Sequence, residues 1–180
     1  MLQIMIQGRG GQGAQTAGNL LARAFFAQGR RVQAFASYGG ARRGTPVNSF
    51  LRVDDQPIRV RCDIERADAI LCFDASLLQP PLLSRADADT LIVVNSMHGA
   101  AEWRDKLPGY RVVPVDAIAI ARSQGLGRIV NSTLLGALAR AIETPRLDVL
   151  LQVVREGQRG EENAGACMLG YQAAGEEVSQ

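Results

Sequence analysis

Six residues near the amino terminus, Gly8-Arg9-Gly10-Gly11-Gln12-Gly13, have the makings of a phosphate-binding turn. Glycines at 8, 10 and 13 fit the G-x-G-x-x-G spacing. They stand between a short apolar run, Met1 to Ile6, and a small-residue helical pattern from Ala14 to Gln28. Strand, glycine turn and helix in that order bring backbone N–H groups close to a ligand phosphate, with the partial positive charge of a helix amino terminus behind them. No acidic residue lies in the first helical turn to compete, and Arg9 adds a mobile cation at the lip. The same spacing also serves as a tight strand-to-helix turn with no ligand.

A second candidate is the loop Gly39-Gly40-Ala41-Arg42-Arg43-Gly44-Thr45-Pro46, whose glycines and proline mark a non-helical segment. Arg42 and Arg43 offer two forked cations suited to phosphate or carboxylate. They read as a second anion contact, as a clamp on a partner protein, or as a solvated basic loop.

The elements that must position these residues follow from periodicity. Val32 to Ser37 reads as a second strand. Val47 to Val53 alternates apolar and polar, Asp54-Asp55-Gln56-Pro57 is a turn signal, and Ile58 to Arg61 resumes the alternation. This predicts a hairpin with Arg52, Arg59 and Arg61 on its polar side. Ala69 to Phe73 and Asp89 to Asn95 are apolar runs of strands buried on both faces, which makes Cys72 a core residue. Asp74 and Ser76 follow a strand's carboxyl end, where ligands bind in open α/β sheets, but Asp74 reads first as the cap of a short helix at Ala75. Tyr110 to Val115 is the last strand, and helices follow from Ala117 to the carboxyl end. The expectation is a single Rossmann-like three-layer α/β domain over residues 1–180, with a mostly parallel sheet, an inserted hairpin and a helical carboxyl end.

Composition removes several function classes. Hydrophobic residues at 47% and charged residues at 21% are ordinary for a globular domain, and a net charge of +2 gives no reason to expect nucleic acid or a membrane surface. No run is long enough to span a bilayer and the amino terminus lacks signal-peptide regions, so a cytoplasmic location is expected. Cys62, Cys72 and Cys167 read as free thiols in a reducing compartment, and without a C-x-x-C pair this chain cannot by itself ligate a four-cysteine cluster or structural zinc.

Catalytic plans are also missing. The chain has no G-x-S-x-G elbow, no Gly-Lys-Ser/Thr after the glycines, and a single histidine, His98, to which no catalysis is assigned. A nicotinamide site calls for an acidic residue about 20 positions beyond the glycines, yet the first acidic residue in the chain is Asp54. There is also no glycine-aspartate-glycine segment of the type thiamine diphosphate enzymes use to hold their metal. A phosphate-type turn without a visible catalytic group points to a binding subunit of a larger enzyme, or to a domain whose ligand carries its own chemistry.

Several segments together resemble the gamma subunit of 2-oxoacid:ferredoxin oxidoreductases, the pyruvate/ketoisovalerate oxidoreductase gamma family. They are Gly8 to Gly13, Gly40-Ala41-Arg42-Arg43-Gly44-Thr45-Pro46-Val47, Gln56-Pro57-Ile58, Asp68-Ala69, Asp74-Ala75-Ser76-Leu77-Leu78, and Glu162-Asn163 with Ala166 and Leu169-Gly170-Tyr171. The likeness runs in order along nearly the whole chain. It implies a non-catalytic subunit, working with alpha, beta and delta-type chains, of a complex that oxidatively decarboxylates a 2-oxo acid to its acyl-coenzyme A. Thiamine diphosphate, Mg2+ and 4Fe-4S clusters would sit on the partner subunits. Electrons would pass to ferredoxin or, in some members, to a NAD-reducing subunit that carries FAD or NAD. The gamma domain is associated with coenzyme A access, so the resemblance makes Gly8, Arg9, Gly10, Gly11, Gln12 and Gly13 candidates for its pyrophosphate. Arg42 or Arg43, with Gly44 and Thr45, would take its ribose phosphate. Where many members place a glutamate before the arginines, this loop has Gly40-Ala41, which leaves pyruvate-class and aromatic substrates such as phenylglyoxylate both open. A structural scaffold and a free-standing coenzyme A- or NADP-binding domain are the competing readings.

Overall fold

The computed structural model describes residues 1–38 and 45–178. Strand β1 (Leu2–Arg9) opens the chain, followed by α1 (Ala14–Ala27), β2 (Arg31–Tyr38) and β3 (Pro46–Asp54). A long connection leads to β4 (Ala69–Cys72), a short 3-10 turn (Ala75–Leu77), α2 (Pro80–Leu83) and β5 (Leu91–Asn95). Then come α3 (Ala100–Lys106), β6 (Arg111–Val115), α4 (Ala117–Ser123), α5 (Asn131–Ala141), α6 (Leu147–Arg155) and α7 (Gly160–Val178).

The six strands form one sheet in the order β2-β3-β1-β4-β5-β6. β1, β4, β5 and β6 run parallel, while β3 lies antiparallel between β1 and β2. The inserted hairpin is therefore β2–β3, not the predicted pairing of Val47–Val53 with Ile58–Arg61. Residues 58–61 form no strand. Pro57 removes a ladder donor just before them, and both sides of β3 are already taken by β1 and β2.

Side chains alternate between two cores, as the pleat requires. Ile4, Ile6, Leu71 and Val93 enter the larger one, with α1 and α4 to α7 packed over them. Met5, Ile70, Ile92 and Val94 enter the smaller one with Trp103 of α3, Leu82 of α2 and Ile64 from the β3–β4 connection. Cys72 and Cys167 are fully buried, and burial pushes both thiols up to about 12, so they serve as core side chains and not nucleophiles.

Arg52 departs from expectation. It is 1% exposed, not on a solvated polar side. Its Nη2 donates to the carbonyls of Cys62 (2.7 Å) and Asp63 (3.1 Å), its Nη1 to Gln33 Oε1 (2.8 Å) and its Nε to Gln3 Oε1 (3.2 Å). The guanidinium also lies 5.5 Å from the centroid of Phe35, which stacks on Phe50. Arg52 thus ties the β3–β4 connection onto the face of the sheet.

Candidate functional site

β1 passes into α1 through a turn whose glycines have separate tasks. A Cβ at Gly8 would come within 3.2 Å of both Ala14 Cβ and Phe73 Cβ, so this glycine lets strand end, helix start and neighbouring strand close together. Gly11 and Gly13 have φ of 92° and 89°, the left-handed region that side chains disfavour. Gln12 closes the turn on itself, its Oε1 accepting from Arg9 N (2.6 Å) and its N donating to Arg9 O (3.0 Å). Gly10 N donates to Thr45 O at 3.0 Å, which joins the turn to the start of β3. The N–H groups of Gly11 and Gly13 donate to no acceptor among the described residues.

Arg9 is not a mobile cation. Its Nε donates to Asp74 Oδ2 at 2.7 Å and its Nη2 to Ser76 Oγ at 2.8 Å. Asp74 also caps the 3-10 turn, accepting from Ser76 N at 3.0 Å. Partial burial pushes its carboxyl up, but the hydrogen bonds from Ser76 and Arg9 outweigh burial and hold it below the ordinary value. The pair clips the end of β1 to the end of β4, between which the chain's crossovers diverge in opposite directions along the sheet.

Beside the turn lies a cleft of about 370 Å³, lined by Gly11, Gln12 and Gly13, by Asn95 at the end of β5, and by Arg128 and Asn131. Two helix amino termini meet there. α1 begins after Gly13 and α5 after Val130; neither of these residues makes a side-chain cap bond and neither helix has an acidic residue in its first turn, while Ser132 N at the start of α5 donates to Asn131 Oδ1 at 3.0 Å. No carboxylate lines this cleft. Arg128 is exposed and has no ion-pair partner among the described residues. A second cleft of about 520 Å³ continues along the strand ends past Asp74, Ser96, His98 and Arg122, sharing Gln12, Asn95 and Arg128 with the first. His98 pairs through its ring with Glu102 at 2.7 Å on the surface, and its backbone N donates to Ser96 Oγ at 3.0 Å. Among the described residues no group of three or more metal-ligating side chains occurs.

A family model described as pyruvate ferredoxin/flavodoxin oxidoreductase matches residues 3–173. The chain belongs to that family. The pyruvate/ketoisovalerate oxidoreductases common subunit gamma of Thermococcus kodakarensis is 39% identical over 173 residues, covering 92% of this chain and 93% of its own. Pyruvate synthase subunit PorC of Methanothermobacter thermautotrophicus is 37% identical, covering 96% and 95%. The pyruvate oxidoreductase subunit PORC of Thermotoga maritima superposes with a TM-score of 0.82 at 31% identity over 95% of both chains. The family resemblance carried by the glycine turn and the segments after it is thus met along the whole domain.

Within this family fold, the predicted site residues divide. Gly11, Gln12 and Gly13 line the cleft, and Thr45 is joined to the turn through Gly10. Gly8 is packed inside and Arg9 is engaged by Asp74 and Ser76. Arg42, Arg43 and Gly44 lie outside the described residues. Sequence reasoning missed Arg128, Asn95 and Asn131. The signal for Arg128 was faint: a lone arginine after Gly125-Leu126-Gly127, just before the apolar helix that begins at Asn131.

Proposed function

We propose that this chain is the gamma subunit of a multi-subunit 2-oxoacid:ferredoxin oxidoreductase and supplies the complex with its binding site for the phosphates of coenzyme A. One observation carries the reading. Two helix amino termini with no acidic residue in their first turns and Arg128 converge on a cleft that no carboxylate lines. Unpaired N–H groups and helix dipoles favour an anion there, and a guanidinium binds phosphate oxygens in a fork. The donor set therefore fits a pyrophosphate. The N–H groups of Gly11 and Gly13 with Arg128 would hold it, and Arg42 or Arg43 would reach the ribose phosphate.

The chain performs no bond-breaking of its own in this reading. Thiamine diphosphate, Mg2+ and iron–sulfur clusters sit on alpha, beta and delta-type partners, which also choose the 2-oxo acid and deliver electrons to ferredoxin or NAD in the cytoplasm. No helix among the described residues is long and apolar enough to cross a membrane.

The test is Arg128→Ala in the assembled complex. The KM for coenzyme A should rise about tenfold or more, the scale of one lost charged hydrogen bond, with the KM for the 2-oxo acid unchanged. Arg42→Ala with Arg43→Ala should raise it further. An intact complex whose coenzyme A KM is unmoved by all three changes rejects the ligand role and leaves the chain a scaffold.

A further inference from the structure

The sheet ends on one side at β2, which pairs with β3 along all eight residues from Arg31 to Tyr38. Among the described residues no backbone hydrogen bond joins its other side to the chain. Such an edge presents alternate N–H and C=O groups ready to pair with another strand. Here it is not short, and among the described residues only the coil after β3 lies near it, where Gln33 Nε2 donates to Val60 O at 2.8 Å. The four consecutive residues Arg31, Val32, Gln33 and Ala34 all line one groove of about 480 Å³, so the strand's own edge forms its wall.

Two further features surround that edge. Phe26, at the end of α1, is 72% exposed and overhangs Val32 and Ala34, with a neighbouring depression of about 430 Å³ floored by Ala22 and Val153. Across the edge stands residue 61, an arginine, with Pro57 and Ile58. Three nearby carboxylates are already engaged: Asp54 with the terminal amine at 3.3 Å, Asp55 with Arg30 at 2.7 Å as an ion pair without hydrogen-bond geometry, and Glu156 with Arg23; Asp63, exposed in the same coil, has no ion pair among the described residues. Arg31, Arg59 and Arg61 are exposed and have no such partner among the described residues. The edge therefore carries an excess of positive charge next to an uncovered aromatic ring.

We propose that the outer edge of β2 is a docking strand for an extended, acid-rich segment of a companion subunit. That segment adds to the sheet by main-chain pairing, sets carboxylates against Arg31, Arg59 and Arg61, and places an apolar side chain against Phe26. The arginines steer the encounter and choose the partner's charge; the backbone pairing and Phe26 hold it. The inference rests on the chain working inside a multi-subunit assembly. It is independent of the anion cleft, which opens at the carboxyl ends of the parallel strands.

The test uses the complete chain with its companion subunits. Amide exchange of residues 31–38 is followed in the free chain and in the complex, and assembly is measured by native mass and by titration. Alternate amides of β2 should slow by at least about tenfold on assembly. Arg31→Glu with Arg61→Glu should weaken assembly by at least about tenfold, more so at low salt, and Phe26→Ser should weaken it several-fold. All three positions are exposed or at the rim, and an unchanged melting temperature of the free variants checks that they fold. Assembly of the wild-type chain with β2 amides as exposed as before, or unweakened by all three substitutions, overturns the docking strand while leaving the subunit reading intact. Protection of β2 in the free chain through self-association assigns the edge to a second copy and also overturns it. Failure of the wild-type chain to assemble at all overturns both readings. Loss of assembly in the edge variants, set against an Arg128 variant that assembles normally and changes the coenzyme A KM, separates the two surfaces.

Discussion

The two faces of the sheet are covered by different means. On one, α1, α5, α6 and α7 lie over the strands and over each other, and the helices approach until backbone touches backbone. A Cβ added at Gly136 of α5 would sit 1.9 Å from the carbonyl oxygen of Cys167, and one at Gly170 of α7 would sit 2.0 Å from that of Thr133. On the other face the cover is thin: α2, α3 and the connection between β3 and β4. Among the described residues no helix lies over β2 and β3 on that side, and a buried guanidinium closes the gap. Apolar packing tolerates many arrangements of similar volume. Five N–H donors meeting four fixed oxygens tolerate few, so Arg52 selects one path for the chain from Asp54 to Asp68. The thick face supplies bulk stability; the thin face supplies a defined loop at modest thermodynamic gain. The cleft lies where the faces meet, at the strand ends, and draws α1 and α5 from the thick one.

The contrast is broken most directly at Gly136. Gly136→Ala drives a methyl into backbone that belongs to another helix and has no rotamer to escape through. The loss should be about 3 kcal/mol or more, seen as a fall in the chemical denaturation midpoint. Gly18 provides the control: a Cβ there meets Ser49 Oγ at 2.1 Å, a single atom that can rotate away. Gly18→Ala should therefore cost clearly less, despite a similarly short approach. Equal costs would mean that the α5–α7 contact yields more easily than its geometry implies.

On the thin face the expected global effect is smaller and the local effect larger. Arg52→Met keeps the approximate volume and removes a buried charge, so the desolvation it relieves offsets part of the four lost hydrogen bonds. The net loss should be about 1–2 kcal/mol. The connection it held should open much more often than the whole domain unfolds. Trypsin reports this, since Arg59 and Arg61 are exposed in the same segment. Cleavage there should accelerate many-fold while the rest of the domain resists. A global loss matching that of Gly136→Ala, with no preferential cleavage, would mean that both faces fail as one unit.

What the sequence displays follows the same division. The glycine turn was legible because its geometry is local: spacing, a helix with no acid in its first turn, and an apolar strand before it. Runs such as Ala69 to Phe73 were legible because strands buried on both faces have no polar alternation to hide them. Asp74 was legible as a cap for the same local reason. Arg52 was not. The alternation of Val47 to Val53 assigned its polar residues to solvent, yet both faces of β3 are covered, and the partners that make Arg52 a core residue come from β1, β2 and a coil. Ile58 to Arg61 alternates as a strand would but has no free neighbour to pair with, and Val60 stays 40% exposed. Arg128 reaches the cleft only because α5 packs beside α1, which no spacing within its own segment encodes. Arg9 and Asp74, each readable alone, were not readable as a pair.

That pair is the last and smallest test of the contrast, because it joins the two cores at the mouth of the cleft. Asp74 has its carboxyl held below the ordinary value, so its ion pair adds stability above the unfolded-state value near 3.8 and loses it as pH falls through the folded value. With the side chain 27% exposed and its partner 39% exposed, solvent screening limits the contribution to about 0.5–1 kcal/mol at pH 7. Asp74→Asn should remove that amount at neutral pH and nothing in strong acid, where the wild-type carboxyl is already protonated. The two proteins should then converge in denaturation midpoint below the ordinary carboxylate range. A variant equally destabilised at every pH would show instead that Asp74 acts through its hydrogen bonds with Ser76 and not through its charge on Arg9.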